Sequence, residues 1–292
     1  MIGRVFEVKG DSDLNFRGLP FVSITLLAAL ICQATAGDIS LHAGESQWAL
    51  VWSDEFNGPD GSRPDTAKWN FETGGNGWGN HELEYYTNRP KNSFVQGGNL
   101  VIQTLKESFS GPDHITRDYT SARMTTKGLF EQAYGRFEAR LKIPRGQGIW
   151  PAFWLLGNDF GKIGWPACGE IDIMENIGKE PSTIHGSMHG PGYSGDDDFT
   201  SVYKLPGGVN FFDGFHVFAI EWEPGSVRFF VDQELYAKLT PSRLPSGMKW
   251  VFDHTFYIIL NVAVGGDWPG PPDSTTVFPQ VMLVDYVRVY KA

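Results

Sequence analysis

The sequence predicts an all-β protein, one domain built from two stacked antiparallel sheets. Three observations carry this. From Ser46 onward, apolar and polar residues alternate in short runs, with the period of two that sends successive side chains to opposite faces of a strand. Gly, Pro, Asn and Asp break those runs at close intervals, as tight turns require. No window of twelve or more residues outside the first 36 shows a convincing 3.6-residue period. Neither a repeat nor a low-complexity linker divides the chain, so a single sandwich is expected from residue 37 or 38 to the end.

The elements follow in order. Residues 134–143 put Phe137, Ala139, Leu141 and Ile143 on one face, with Arg136, Glu138, Arg140 and Lys142 on the other. That is the pattern of a half-buried strand. Residues 170–175, "EIDIME", are apolar and β-branched enough for a strand although they carry three acids. Residues 215–222 and 227–231, joined by Glu223-Pro-Gly-Ser226, read as a hairpin. Residues 256–264 and 281–290 add two more strands.

A chain of 292 residues, 41% hydrophobic, is ample for one large core. A net charge of −10 argues against nucleic acid or an anionic membrane as the main partner and favours a neutral ligand. Ten tryptophans suit either a large core or a groove that stacks carbohydrate, and their number does not choose between them.

Residues 1–36 read as a leader. Leu19–Ile31 is an apolar stretch of signal-peptide length, with Arg17 before it and Ala34-Thr35-Ala36 after it. It is short for a membrane-spanning helix. The expectation is a secreted, extracellular protein with no membrane attachment after cleavage. Glu7, Asp11 and Asp13 make the first 18 residues unusual, which a mis-assigned start or a signal anchor would explain. Cys32 raises lipid attachment as an alternative, and the bulky Ile31 before it argues against that. With the leader removed only Cys168 remains, so no internal disulfide is possible and the domain rests on its core or on a bound ion.

The acids of "GEIDIMENIG" pose a geometric problem. Strand alternation puts Glu170 and Asp172 on one face and Glu175 on the other. One extra residue, a β-bulge at Ile173 or Met174, would return Glu175 to the face of its companions, and bulges gather beside active sites. The backbones of Glu170 and Glu175 would then stand about 13 Å apart, at about 3.3 Å per residue. Side chains leaning inward could bring the carboxyls to about 5–5.5 Å, the separation expected of a retaining glycosidase. A plain solvated face is the competing reading. The hydrophobic surroundings and the cost of stacking like charges weigh against it.

At these residues the sequence resembles glycoside hydrolase family 16, whose bulged signature "EIDIME" matches. The resemblance extends over nearly all of residues 48–292, through "VWSDEFN" at 51, "ELEYYT" at 82, "WPAFWLL" at 150, "HGPG" at 189, "VGGDWP" at 264 and "VDYVRVY" at 284. It is strongest toward the laminarinase branch, the endo-1,3-β-glucanases. It implies a jelly-roll sandwich with a concave substrate cleft, in agreement with the strand pattern. It further implies Glu170 as nucleophile, Glu175 as general acid and base, and Asp172 between them bonded to the nucleophile. Crowded carboxylates cannot all ionise cheaply, which suits a proton donor kept protonated near neutral pH.

For the substrate shell the resemblance, with the appetite of sugar rings for flat aromatics and amide or carboxylate partners, points to Trp78, Asn80, Glu82, Arg123, Trp150, Trp154, His189 and Trp268. Core tryptophans, a plain turn at 77–80, a surface salt bridge at Arg123 and a structural histidine are the alternatives. His185, Ser187 and His189 alternate onto one face, and Cys168 shares parity with Glu170 without any assigned chemistry. A structural Ca2+ held by Glu55, the Gly98 carbonyl and Asp285 is implied by the family; oxygen-only ligands suit that ion. No cofactor is required for the chemistry, and no metalloenzyme spacing such as His-Glu-x-x-His occurs.

The expected activity is endo-acting, retaining hydrolysis of β-1,3-glucan by a monomer whose partner is the polysaccharide. Mixed-linkage 1,3-1,4-β-glucan, a galactan, transglycosylation, or a non-catalytic β-glucan-binding protein remain alternatives. The paired glutamates argue against the last. No carbohydrate-binding module is expected to follow the last strand.

Overall fold

The structure, a computed structural model, describes residues 48–195 and 199–292. The expected leader, its signal peptide and Cys32 lie outside the described residues. In chain order the strands are β1 (Ala49–Asp54), β2 (Asn70–Glu72), β3 (Glu84–Tyr86), β4 (Ser93–Gln96), β5 (Asn99–Ser110), β6 (Thr116–Ser121), β7 (Arg123–Thr125), β8 (Gly135–Lys142) and β9 (Ile149–Gly157). The short helix α1 (Phe160–Ile163) follows. Then come β10 (Glu170–Glu175), β11 (Thr183–His189), β12 (Ser201–Lys204), β13 (His216–Glu223), β14 (Ser226–Val231), β15 (Glu234–Leu239), β16 (Phe256–Val264) and β17 (Gln280–Lys291).

These strands make the two-sheet sandwich of a jelly roll. The ten-stranded sheet runs β15-β14-β13-β8-β17-β5-β6-β3, with β1 paired to β17 and β4 to β5; the seven-stranded sheet runs β12-β11-β10-β9-β16-β7-β2. The expected hairpin is β13–β14, paired from Phe218 opposite Val231 to Glu223 opposite Ser226. One expectation is corrected: β3 pairs with β6 in parallel. A long connection through β4 and β5 separates the two strands, and such a connection leaves the direction free where a hairpin would not.

A second correction concerns β8. Phe137, Ala139 and Leu141 are fully buried as predicted, but Glu138, placed on the solvent face, is buried too. As a central strand, β8 has its outer face covered by side chains of its neighbours. Glu138 accepts from Arg136 Nε at 2.8 Å and from the Tyr290 hydroxyl at 3.2 Å.

The core between the sheets takes Phe153 and Leu155 from β9 and Ile258 and Leu260 from β16. Their alternate neighbours, Trp154, Leu156, Tyr257 and Ile259, gather with Cys168 in a separate cluster on the opposite face of the same sheet. Both faces of β16 are therefore covered, which is why it reads as an unbroken apolar run.

Candidate active site

The bulge is present. Against β9, Asp172 pairs with Trp154 and Met174 with Phe153, so Ile173 is the added residue. Against β11, Asp172 pairs with Ser187 and Glu175 with His185, so Ile173 and Met174 together oppose Gly186. Ile171, Ile173 and Met174 all enter the inter-sheet core. Glu170, Asp172 and Glu175 consequently share the outer face of β10, flanked by Leu156, Trp154 and Ala152 on one side and His189, Ser187 and His185 on the other. Gly186 allows this: a Cβ there would lie 2.2 Å from the Tyr236 hydroxyl.

Burial holds Glu170 and Glu175 in unusual states. Burial, and after it the Asp172 charge, push Glu170 up to about 8. Burial and Asp172 also hold Glu175 well above the usual carboxylate range, against the opposing pull of His189 and of a hydrogen bond from Trp150. His189 Nε2 lies 2.9 Å from Asp172 Oδ2 and 3.9 Å from Glu170 Oε1. Ligand atoms of Glu170, Asp172 and His189 all fall within 4.8 Å of one another, close enough to hold a metal ion. Cys168 is buried beside them, and burial with the Glu170 charge raises its thiol to about 12, which leaves it unreactive.

Of the expected shell residues, Trp150 and Trp154 lie on β9, Arg123 on β7 and His189 on β11 of the same sheet, while Trp78, Asn80, Glu82 and Trp268 stand in loops. Trp150 donates its indole N–H to Glu175 Oε1 at 2.9 Å, and Trp154 donates to Asn261 Oδ1 at 2.7 Å. Asn261 Nδ2 donates to the Tyr86 hydroxyl at 3.1 Å, which donates in turn to Glu82 Oε2 at 3.0 Å; Asn80 Nδ2 donates to Glu82 Oε1 at 3.3 Å. Arg123 pairs with Glu72 through Nε at 2.5 Å, and its guanidinium lies 4.7 Å from the ring centroids of both Trp78 and Trp154. Trp268 packs edge-on against Trp150 and His185, at 5.4 Å and 4.8 Å.

Asn261, Tyr86 and Glu72 complete this network and were not singled out in the sequence. Asn261 had a signal: it is the one amide inside an otherwise apolar strand. Trp165 was missed as well. It is 46% exposed, with its ring 6.2 Å from that of His189.

Glu55, Gly98 and Asp285 lie with the other sheet, Asp285 in β17 and Gly98 in the turn between β4 and β5. Both Glu55 oxygens accept from Arg288, at 2.9 and 2.8 Å, and Asp285 Oδ2 accepts from Arg140 at 2.5 Å. As these side chains stand, the carboxylates are neutralised by guanidinium groups and do not fit a calcium ion without exchanging those partners.

The glycosyl hydrolases family 16 model matches residues 80–286. A β-glucanase of Rhodothermus marinus is 42% identical over 278 residues, covering 91% of this chain and 93% of that protein. The laminarinase catalytic domain of Thermotoga maritima MSB8, solved with cetyltrimethylammonium bromide, is 53% identical with a TM-score of 0.80, covering 85% of this chain and 99% of that domain. An endo-β-1,3-glucanase of Pyrococcus furiosus is 50% identical with a TM-score of 0.80, covering 84% and 94%. A sandwich with three acids brought to one strand face, matched by that model over most of its length, belongs to glycosyl hydrolases family 16.

Proposed function

We propose that this family 16 hydrolase cuts β-1,3-glucan chains internally with retention of configuration, using Glu170 as nucleophile and Glu175 as acid and base. The observation that carries the reading is the bulge at Ile173, which sets Glu170, Asp172 and Glu175 on one face. The likeness to an endo-β-1,3-glucanase of Pyrococcus and a laminarinase of Thermotoga supports the linkage.

The chemistry follows from the arrangement. A Glu170 oxygen attacks the anomeric carbon while the bond to the departing oxygen breaks and that oxygen takes the proton from Glu175. The emptied Glu175 carboxylate then removes a proton from water, which attacks the glycosyl-enzyme and frees Glu170. Asp172 lies between the two acids, and its charge favours protonated neighbours. His189, against both Asp172 and Glu170, offsets that charge on the nucleophile's side. The carboxyls titrate as a coupled set, so apparent values belong to the set. Trp78, Asn80, Glu82, Arg123, Trp154 and Trp268 supply flat rings and hydrogen-bonding groups for the glucan.

Laminarin digestion followed by NMR tests this directly. Shortened oligomers whose new reducing ends appear first as the β-anomer are expected. The α-anomer, or no cleavage, would overturn the reading. Faster cleavage of lichenan or agarose would reassign the linkage while leaving the mechanism. The same proposal has the mature chain begin at Gly37 outside the cell as a monomer, which N-terminal sequencing of the secreted product and sedimentation would check.

A further inference from the structure

Trp150 was expected to stack on sugar. Its contacts point elsewhere. It leaves β9 two residues beyond Ala152, the cross-strand neighbour of Glu175, and so projects on the same face as that acid. Its indole N–H reaches Glu175 Oε1 at 2.9 Å. The ring is held in place: Trp268 meets it edge-on at 87°, and a Cβ on Gly266 would stand 3.5 Å from Cζ3. Trp268 is itself fixed, through its carbonyl by Lys179 Nζ at 3.0 Å and through its ring by His185.

We infer that Trp150 is a positioning residue for Glu175, whose N–H occupies Oε1 and thereby assigns the transferable proton to Oε2. A carboxyl proton on Oε1 would point at an N–H that cannot accept it. With Oε1 held, Oε2 alone gives the proton to the departing oxygen and takes one from water in the second half of the cycle. The N–H also favours the charged form that the second half requires. This rests on the reading of Glu175 as acid and base.

Trp150→Phe keeps the ring against Trp268 and removes the N–H. On laminarin kcat should fall about tenfold with KM within about threefold, the pattern of an interaction used in the transition state. The alkaline limb of kcat/KM should move to higher pH, because a carboxylate that loses a donor holds its proton more tightly. The other titratable groups facing Glu175 are unchanged: Glu170 and Asp172 on β10, and His185 and His189 on β11. The neighbouring strand β9 brings none. With a dinitrophenyl β-glucoside oligomer, whose leaving group needs no proton, the burst should match the wild type. A raised KM with kcat and the alkaline limb unmoved would assign Trp150 to sugar stacking and overturn the inference.

A measurement without any change at position 150 guards against misfolding. In 15N-tryptophan spectra of the wild type, one indole signal should shift with pH, and in Glu175→Gln that signal should stop moving. Absence of such a signal also overturns the inference. If Glu175→Gln stays active, the acid and base reading itself falls. If Glu175→Gln is inactive and Trp150→Phe leaves the limb in place, only the inference about Trp150 falls.

Discussion

His189 and Asp172 are joined across β10 and β11, Nε2 to Oδ2 at 2.9 Å, and the contact places the same ring nitrogen 3.9 Å from Glu170 Oε1. Asp172 is almost fully buried. His189→Ala removes a partner from a buried carboxylate and withdraws a group that opposes the rise of Glu170. The expected result is a loss of about 1–3 kcal/mol of stability, as for other buried groups left without a partner. The acid limb of kcat/KM should also shift to higher pH, since Glu170 as the proposed nucleophile must be deprotonated to attack. Thermal melts and a pH–rate series check both; an unmoved limb would detach His189 from Glu170.

Glu170→Gln and Glu175→Gln should each fold and each lose about 10²-fold or more of laminarin hydrolysis, the scale of a lost acid, base or nucleophile. Azide separates the two roles. With a dinitrophenyl β-glucoside oligomer, whose leaving group needs no proton, the glycosyl-enzyme still forms when alanine replaces Glu175 and azide displaces it to give a β-glycosyl azide; when alanine replaces Glu170, direct attack by azide gives the α-product. The opposite pairing of products would exchange the assignments.

The bulge was legible in the sequence because three acids and three hydrophobes in "EIDIME" cannot each find a suitable face under strict alternation. Trp150 and Trp154 were legible as same-face residues by their even spacing. The roles of the indole nitrogens were not, since a hydrogen bond between Trp150 and Glu175 depends on cross-strand register, with Ala152 opposite Glu175. Register also hid the Asn261–Tyr86–Glu82 chain, which joins segments 175 residues apart. Glu138 was misread for a related reason: alternation tells which face a side chain takes, and the strands lying alongside decide whether that face meets water.

Gly186 offers a test of the bulge itself. It is the residue opposite the bulged pair, and a Cβ there would meet Tyr236 Oη at 2.2 Å and Phe229 Cδ1 at 2.8 Å. Gly186→Ala should cost about 1–3 kcal/mol, the range for overpacked cores. Because the same shift would move β11 against β10, laminarinase activity per folded molecule should fall as well. A melt and an active-site titration measure the two effects. Unchanged stability would mean the sheets yield there freely.

The raised acids carry a cost that appears in stability against pH. Glu170 titrates near 8 in the folded chain and Glu175 well above its ordinary value, whereas the unfolded chain releases both protons near 4.5. Between those limits the folded state binds more protons than the unfolded state, so stability falls as pH rises. The contribution is fully present below about 4.5 and, for Glu170, is lost as pH rises through about 8. Glutamine keeps the shape and cannot ionise. Glu170→Gln and Glu175→Gln should therefore melt close to the wild type at pH 4 and above it at pH 8, with the gap widening between. Such a gain on removal of a proposed catalytic group is the expected trade between activity and stability. Calorimetry at pH 4, 6 and 8 decides it: a gap independent of pH, or one that reverses, would show that burial does not hold these protons.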